Sequence, residues 1–334
     1  MTALSRPAPI VGARISGIGS YRPERIVLNA ELVDAIDSSD EWIRERTGIQ
    51  ARHFASADET VMDMATAAAQ AALTDAGTDP AEIDLVVIAT ASHPYPMPDS
   101  SMQVAERLGC VNAGTFDLGA ACAGFAYAVT TATNMIHGGQ AKKVLVVGAE
   151  KLTDFLNLED RGTAFIFGDG AGAFVLEAAD YVGIGPTVWG HNGDMAEAIT
   201  MSHDWITYRN APDGTPFPTI VMQGQAVFRW ALTTVTDVCK QAIAAAGIEV
   251  SDLAVFAPHQ ANMRITDALA RGLHLPENIV IARDIATTGN TSAASIPLAL
   301  TKLREEGTYV SGGYALLVGF GAGLSYAGLV VELP

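Results

Sequence analysis

Residues 83–90 read IDLVVIAT and residues 251–258 read SDLAVFAP, with Asp84 and Asp252 in the same place 168 positions apart. Each string follows an alanine-rich helical pattern that ends in glycine, 65–77 and 235–247, as a left-handed C-cap requires. A second echo lies downstream, VLVVG at 144–148 against ALLVG at 315–319, now 171 positions apart. Each half therefore reads helix, apolar strand, helix, strand, long helix, apolar strand. Unbroken Val/Ile/Leu runs alternating with helices indicate strands buried on both faces, hence a layered α/β fold built from two copies of one unit. The expected halves are residues 1–180, carrying Cys122, and 181–334, carrying His259 and Asn290. Adding 168 to Cys122 lands on Asn290, so both are expected to open helices, over 122–137 and 290–304. Those helix starts would face each other across a pseudo-twofold axis.

The length of 334 residues suits such a duplication, and 49% apolar residues suffice for a large core. Lys and Arg number 20 against 37 Asp and Glu, a net charge of −17. A chain so acidic repels phosphate backbones and anionic membrane surfaces, which argues against nucleic-acid and membrane partners. Residues 307–331 carry no charge and are long enough to span a bilayer, but seven glycines divide them. Two buried strands, 314–318 and 324–331, fit better. Met1 to Pro9 lacks the charged and apolar regions of a secretion signal, so a cytoplasmic protein is expected. The three cysteines form no metal-ligand spacing, and no metal is expected.

Cys122 lies in DLGAACAGF (117–125), among small residues that leave the sulfur accessible. A thiol at a helix N-terminus meets the positive dipole end and free N–H groups, which favour thiolate and lower its pKa. The same N–H groups suit an oxyanion. A buried structural cysteine is the alternative, and it is the better reading of Cys110 and Cys239. His259, in FAPHQANMRI (256–265), leaves the end of an apolar strand, where α/β sheets place ligand chemistry. A satisfied loop histidine is its alternative, preferred for His53, His137, His203 and His274. Asn290, in TTGNTSAAS (287–295), suits a helix N-cap, and a cap is compatible with a catalytic donor. Together Cys, His and Asn suit covalent acyl chemistry, with thiolate as nucleophile and neutral donors beside it.

These motifs carry a resemblance. ACAGF (121–125), PHQAN (258–262) and GNTSAAS (289–295) resemble the Cys-His-Asn signature of β-ketoacyl-[acyl-carrier-protein] synthase III, a family of thiolase-like condensing enzymes. The likeness runs from SDEWIRERTGI (39–49) through DRGT (160–163) and FGDGAGA (167–173) to GFGAGLSY (319–326). SHDWIT (202–207) and GAGLSYA (321–327) resemble actinobacterial members. The resemblance implies a five-layered αβαβα pair of duplicated halves with mixed sheets, and a cytoplasmic homodimer that starts fatty-acid synthesis. It implies that Cys122 takes an acyl group from acyl-CoA, which is a substrate, no cofactor being needed. His259 and Asn290 would then stabilise the enolate left when malonyl-acyl-carrier protein loses carbon dioxide. N–H groups of Cys122 and the 320–323 turn would form the oxyanion hole, with Phe320 packed near the thiol.

By the same resemblance Trp42 and Arg161 sandwich the CoA adenine, with Arg46 and Asn262 beside them, and Met97 walls the acyl pocket. Read alone, Trp42 also suits an amphipathic helix face. Arg229 and Arg264 are the expected docking residues for the acidic carrier protein, although Arg229 equally suits a solvated helix face. Gly168–Gly172 and Gly319–Gly323 lack dinucleotide spacing and read as close-packing turns. Because both partners are anionic, Arg44, Arg46, Arg161, Arg229 and Arg264 should gather at one entrance. Three alternatives stay open: a starter-unit synthase or acyltransferase of polyketide assembly, a papain-like Cys-His-Asn hydrolase, and a non-catalytic acyl-binding relative.

Overall fold

The apolar run at 85–89 forms a strand in which every residue is buried, as coverage on both faces demands. The computed structural model describes residues 8–309 and 311–334; most of the segment read for a secretion signal, residues 1–7, lies outside them, as does Val310. The first half contains β1 (Gly12–Tyr21), β2 (Arg25–Leu28), α1 (Asp40–Thr47), β3 (Ala51–Phe54), α2 (Val61–Ala76) and β4 (Leu85–Ala89). It continues through α3 (Ser100–Leu108), β5 (Gly114–Leu118), α4 (Gly124–His137), β6 (Lys143–Glu150) and β7 (Gly170–Ala179). The second half contains β8 (Val188–His191), β9 (Ile199–Met201), α5 (Trp205–Arg209), β10 (Ile220–Met222), α6 (Gly224–Trp230), α7 (Thr236–Ala246) and β11 (Leu253–Pro258). It ends with α8 (Met263–Gly272), β12 (Val280–Ile281), α9 (Ile285–Thr288), α10 (Ser295–Glu305), β13 (Tyr314–Gly321) and β14 (Ser325–Glu332).

The two five-stranded sheets have one topology. Their orders are β1-β7-β6-β4-β5 and, read from the matching edge, β8-β14-β13-β11-β12. In each, the three strands β4, β5, β6 or β11, β12, β13 run parallel, and the remaining two pair antiparallel. Side chains alternate between the faces accordingly. Val87, Val146, Val255 and Leu317 enter the central core around α4 and α10. Val86 and Leu145 pack outward on α2 and α3, while Phe256 and Leu316 do so on α7 and α8. The result is five layers, with the paired central helices between the sheets. Gly77 and Gly247 end α2 and α7 in the left-handed conformation, as the repeat requires.

The glycines of the second echo hold the halves together. A Cβ on Gly148 would meet the Ala293 carbonyl oxygen at 2.4 Å, and one on Gly319 would meet Ala123 Cα at 2.9 Å. Each sheet thus admits the opening turn of the other half's central helix.

Three expectations are corrected. The helix expected over 290–304 starts at Ser295, after a 3-10 turn at Ser292–Ala294, and that expected over 122–137 starts at Gly124 after Ala121–Ala123. The second copy carries three more residues between β11 and its central helix, so the offset there is 171; Ala293, not Asn290, matches Cys122. Gly170 and Gly172 lie inside β7, and Gly319 and Gly321 inside β13, so these glycines pack closely as strand residues rather than in turns. The uncharged segment read as two buried strands does contain two, β13 and β14, paired antiparallel from Tyr314 opposite Glu332 to Gly321 opposite Ser325. No helix among the described residues is long and apolar enough to cross a membrane.

Candidate active site

Cys122 sits in the turn before α4, preceded by Ala121 at φ 43°. A left-handed alanine costs about 1 kcal/mol or more, and such strain persists only where the surroundings impose it. Here β13 imposes it. A Cβ on Gly321 would lie 2.6 Å from Cys122 Cβ and 2.9 Å from Sγ, so glycine alone lets the strand pass beneath the sulfur. The N–H groups of Cys122 and Ala322 approach Sγ. They form the two-donor arrangement that an oxyanion needs. The sulfur is less accessible than its small neighbours suggested, the residue being 9% exposed. Burial pushes the thiol up to about 11, against the pull of Ser292 and these N–H groups. The expected lowering by the helix terminus is therefore outweighed by desolvation.

His259 follows the last residue of β11, and its N–H donates to the Val318 carbonyl at 2.8 Å. Its Nδ1 lies 2.7 Å from Ser295 Oγ, and Phe320 packs edge-on at 5.3 Å between centroids. Burial lowers its pKa to about 3, so the imidazole is neutral throughout the physiological range. Asn290 is pinned by its backbone to Ile166 and Gly168 at 2.9 and 3.0 Å. Its Oδ1 accepts from Ser292 N–H at 2.9 Å, which orients the Nδ2 donor away from that turn. The structure brings Cys122, His259 and Asn290 onto one cavity of about 620 Å³, together with Phe320. Two neutral donors and a thiol converge there from both halves.

The mouth of that cavity is basic. Arg46, Arg161, Arg229 and Arg264 line it, and no acidic side chain among the described residues does. Among the described residues none of the four forms an ion pair. The guanidinium groups of Arg161 and Arg46 lie 5.3 and 5.9 Å from the centroid of the Trp42 ring, whose edge contacts Phe165. Arg264 lies over Phe228 at 5.3 Å. Asn262 caps α8 through Arg264 N–H and reaches the Arg46 carbonyl at 3.1 Å, so it ties α1 to α8 at the rim. Arg44 does not join this group, since its guanidinium is held by Asp40 at 2.7 Å one helical turn away. Met97 is 79% exposed and, within this one chain, lines neither cavity beside the thiol.

A second cavity of about 320 Å³ also reaches Cys122. Its walls are largely apolar, from Leu152, Phe155 and Phe167 of one half and Ile199, Met201 and Ile220 of the other. Its residues come from eight separate stretches, and no local pattern announces them. Ser295, Ser292 and Glu150 were also missed. The serines lie within the GNTSAAS string, and Glu150 is a lone charge ending an apolar strand, a signal that could have been read.

Comparison with known proteins agrees with this geometry. Residues 116–193 match the family model of 3-oxoacyl-[acyl-carrier-protein] synthase III, and residues 243–333 match the model of its C-terminal part. The chain is 50% identical to β-ketoacyl-[acyl-carrier-protein] synthase III 1 of Streptomyces coelicolor, over 99% of this chain and 98% of that protein. It is 49% identical to the mycobacterial enzyme of that name from Mycobacterium tuberculosis, over 97% of both. Among solved structures, the priming β-ketosynthase of the R1128 polyketide pathway superposes with a TM-score of 0.97 at 47% identity, covering 100% of this chain and 99% of that one. The synthase III of Pseudomonas aeruginosa superposes at 0.87 with 37% identity, covering 97% and 98%. A chain with this duplicated fold, sharing half its residues with such enzymes along their whole length, belongs to the β-ketoacyl-[acyl-carrier-protein] synthase III family of acyltransferase-type condensing enzymes.

Proposed function

We propose that this protein condenses an acyl-CoA primer with malonyl-acyl-carrier protein to initiate fatty-acid synthesis, as a cytoplasmic homodimer that needs no cofactor. In this reading its halves are residues 1–180 and 181–334, with the reaction between them. The observation that carries it is the convergence of Cys122, neutral His259 and Asn290 on one cavity, entered past four unpaired arginines. Cys122 attacks the thioester carbonyl, and the developing oxyanion meets the N–H groups of Cys122 and Ala322. CoA leaves, and its phosphates suit the arginine-lined mouth, with Trp42 and Arg161 offering stacking faces to the adenine. Malonyl-carrier protein then loses carbon dioxide, and His259 with Asn290 Nδ2 donates to the enolate oxygen. The carbanion attacks the acyl-cysteine, and the product leaves on its carrier. A base is not required of His259, which is consistent with its neutral state.

The unpaired outer edge of β5 supports the homodimer. Val111, Tyr95, Met97 and Met102, in the adjoining segments, are all exposed. Such an edge is normally covered.

Incubation with acyl-CoA and malonyl-carrier protein tests the reaction. Carbon dioxide and CoA should appear in equal amounts with a β-ketoacyl-carrier product. Free fatty acid released without malonyl consumption would instead indicate a hydrolase. The likeness to a polyketide-priming ketosynthase favours a second reading, in which the product passes to a polyketide carrier protein. A higher kcat/KM with the polyketide carrier than with the fatty-acid carrier would select it.

Docking gives a separate prediction. Arg264→Glu should raise KM for the carrier protein about tenfold, a cost near 1.4 kcal/mol, and raise that for acyl-CoA far less. Equal effects on both would count against docking there.

A further inference from the structure

Glu150, the last residue of β6, is fully buried. By the duplication its counterpart is Gly321, the glycine under the thiol. Oε2 accepts from Ser92 Oγ at 2.6 Å and from Ala91 N–H at 3.0 Å. Ser92 Oγ in turn accepts from Lys151 N–H at 2.8 Å, which orients its own proton toward the carboxylate. Oε1 is buried and completes no well-formed hydrogen bond, although the Ser292 hydroxyl and the Ala293 N–H approach the carboxyl. Nor does a cation among the described residues neutralise the group. The Lys151 ammonium turns away to the Ser56 carbonyl and Asp154, at 3.0 and 3.4 Å. An uncompensated buried carboxyl is costly to keep. What it faces is the Ser292 hydroxyl, which also faces Cys122 Sγ, and Ser292 and Cys122 share a cavity wall.

Resting on the proposed role of Cys122, we infer that Glu150 is the proton store of the nucleophile, reached through the Ser292 hydroxyl. During loading, the bond from Cys122 Sγ to the acyl carbon forms as the acyl bond to the CoA sulfur breaks. The thiol proton passes to Ser292 Oγ while the hydroxyl's own proton moves to Glu150 Oε1. CoA leaves as thiolate and takes a proton from solvent. During condensation the carbon–carbon bond forms, the acyl bond to Cys122 breaks, and Glu150 returns its proton to the departing thiolate along the same path. Over the cycle Glu150 is unchanged. A thiol raised by burial needs such an acceptor, and burial likewise raises Glu150, which makes its carboxylate a stronger base than an exposed one.

Glu150→Gln keeps the shape and an oxygen for Ser92 but accepts no proton. In single-turnover loading followed by intact mass, it should form the acyl-enzyme about 100-fold more slowly than the native protein. Carbon dioxide release from malonyl-carrier protein, which draws on His259 and Asn290, should stay within about twofold, a split that mere misfolding would not give. Glu150→Asp should recover part of the loading rate. If Glu150→Gln does not fold, Ser292→Ala decides, since it cuts the path while leaving the carboxyl in place; it too should load slowly. Native-rate loading by either folded variant overturns the relay while leaving Cys122 as the nucleophile. A native protein that loads no acyl group at all would overturn both.

Discussion

Cys122→Ala is expected to load no acyl group from any acyl-CoA, with turnover reduced by about 10⁴ or more, because no other nucleophile stands at that position. Its counterpart in the second copy is Ala293, so the fold already accepts alanine in this turn. Thermal stability should therefore change little, which separates lost chemistry from lost structure. Intact-mass measurement across acyl chain lengths checks this directly, and an adduct persisting in Cys122→Ala would refute the assignment. The same panel tests the cavity of about 320 Å³, whose apolar walls leave space beside the sulfur for an acyl chain longer than acetyl.

The second large effect is expected at the donors. Asn290→Ala and His259→Ala should each still load acyl groups yet lose carbon dioxide release from malonyl-carrier protein by about 10²–10³-fold, the range for removing one oxyanion donor. Asn290→Ala also frees the Ser292 N–H, so Asn290→Asp, which keeps that acceptor but replaces the Nδ2 donor, serves as a control and should be similarly slow. Normal decarboxylation in either Asn290 variant would refute its role. The pH dependence has a definite sign. His259 is held near 3 in the folded protein against 6.5 for the free side chain, so its neutral form is the folded one. Stability from this group is complete above about pH 6.5 and falls as the pH drops toward 3, because only the unfolded chain binds the proton there. Decarboxylation should accordingly show no titration of His259 between about pH 6 and 8, measured on the preloaded acyl-enzyme. A step near 6.5 belonging to this histidine would contradict its burial.

Much of this site could be read along the chain. The strand strings at 85–89 and 253–258, their glycine-capped helices, and the cysteine and histidine beyond strand ends are all local patterns, and the folded chain keeps them. The Asn290 register was misjudged because one echo has an offset of 168 and the other 171, and only the folded chain shows where the three residues enter. Arg44 was misplaced for a different reason. Residue type and motif position say nothing about whether a side chain points at a cavity or at Asp40.

The net charge of −17 led to a demand for a basic entrance, and four of the five named arginines meet it. That much follows from composition, periodicity and short motifs, which are local properties of a chain. The direction of the Cys122 shift, the neutrality of His259, the second cavity and the burial of the Glu150 carboxyl do not. Each depends on how far groups from the two halves exclude water from one another, and desolvation arises only when residues distant in sequence are packed together.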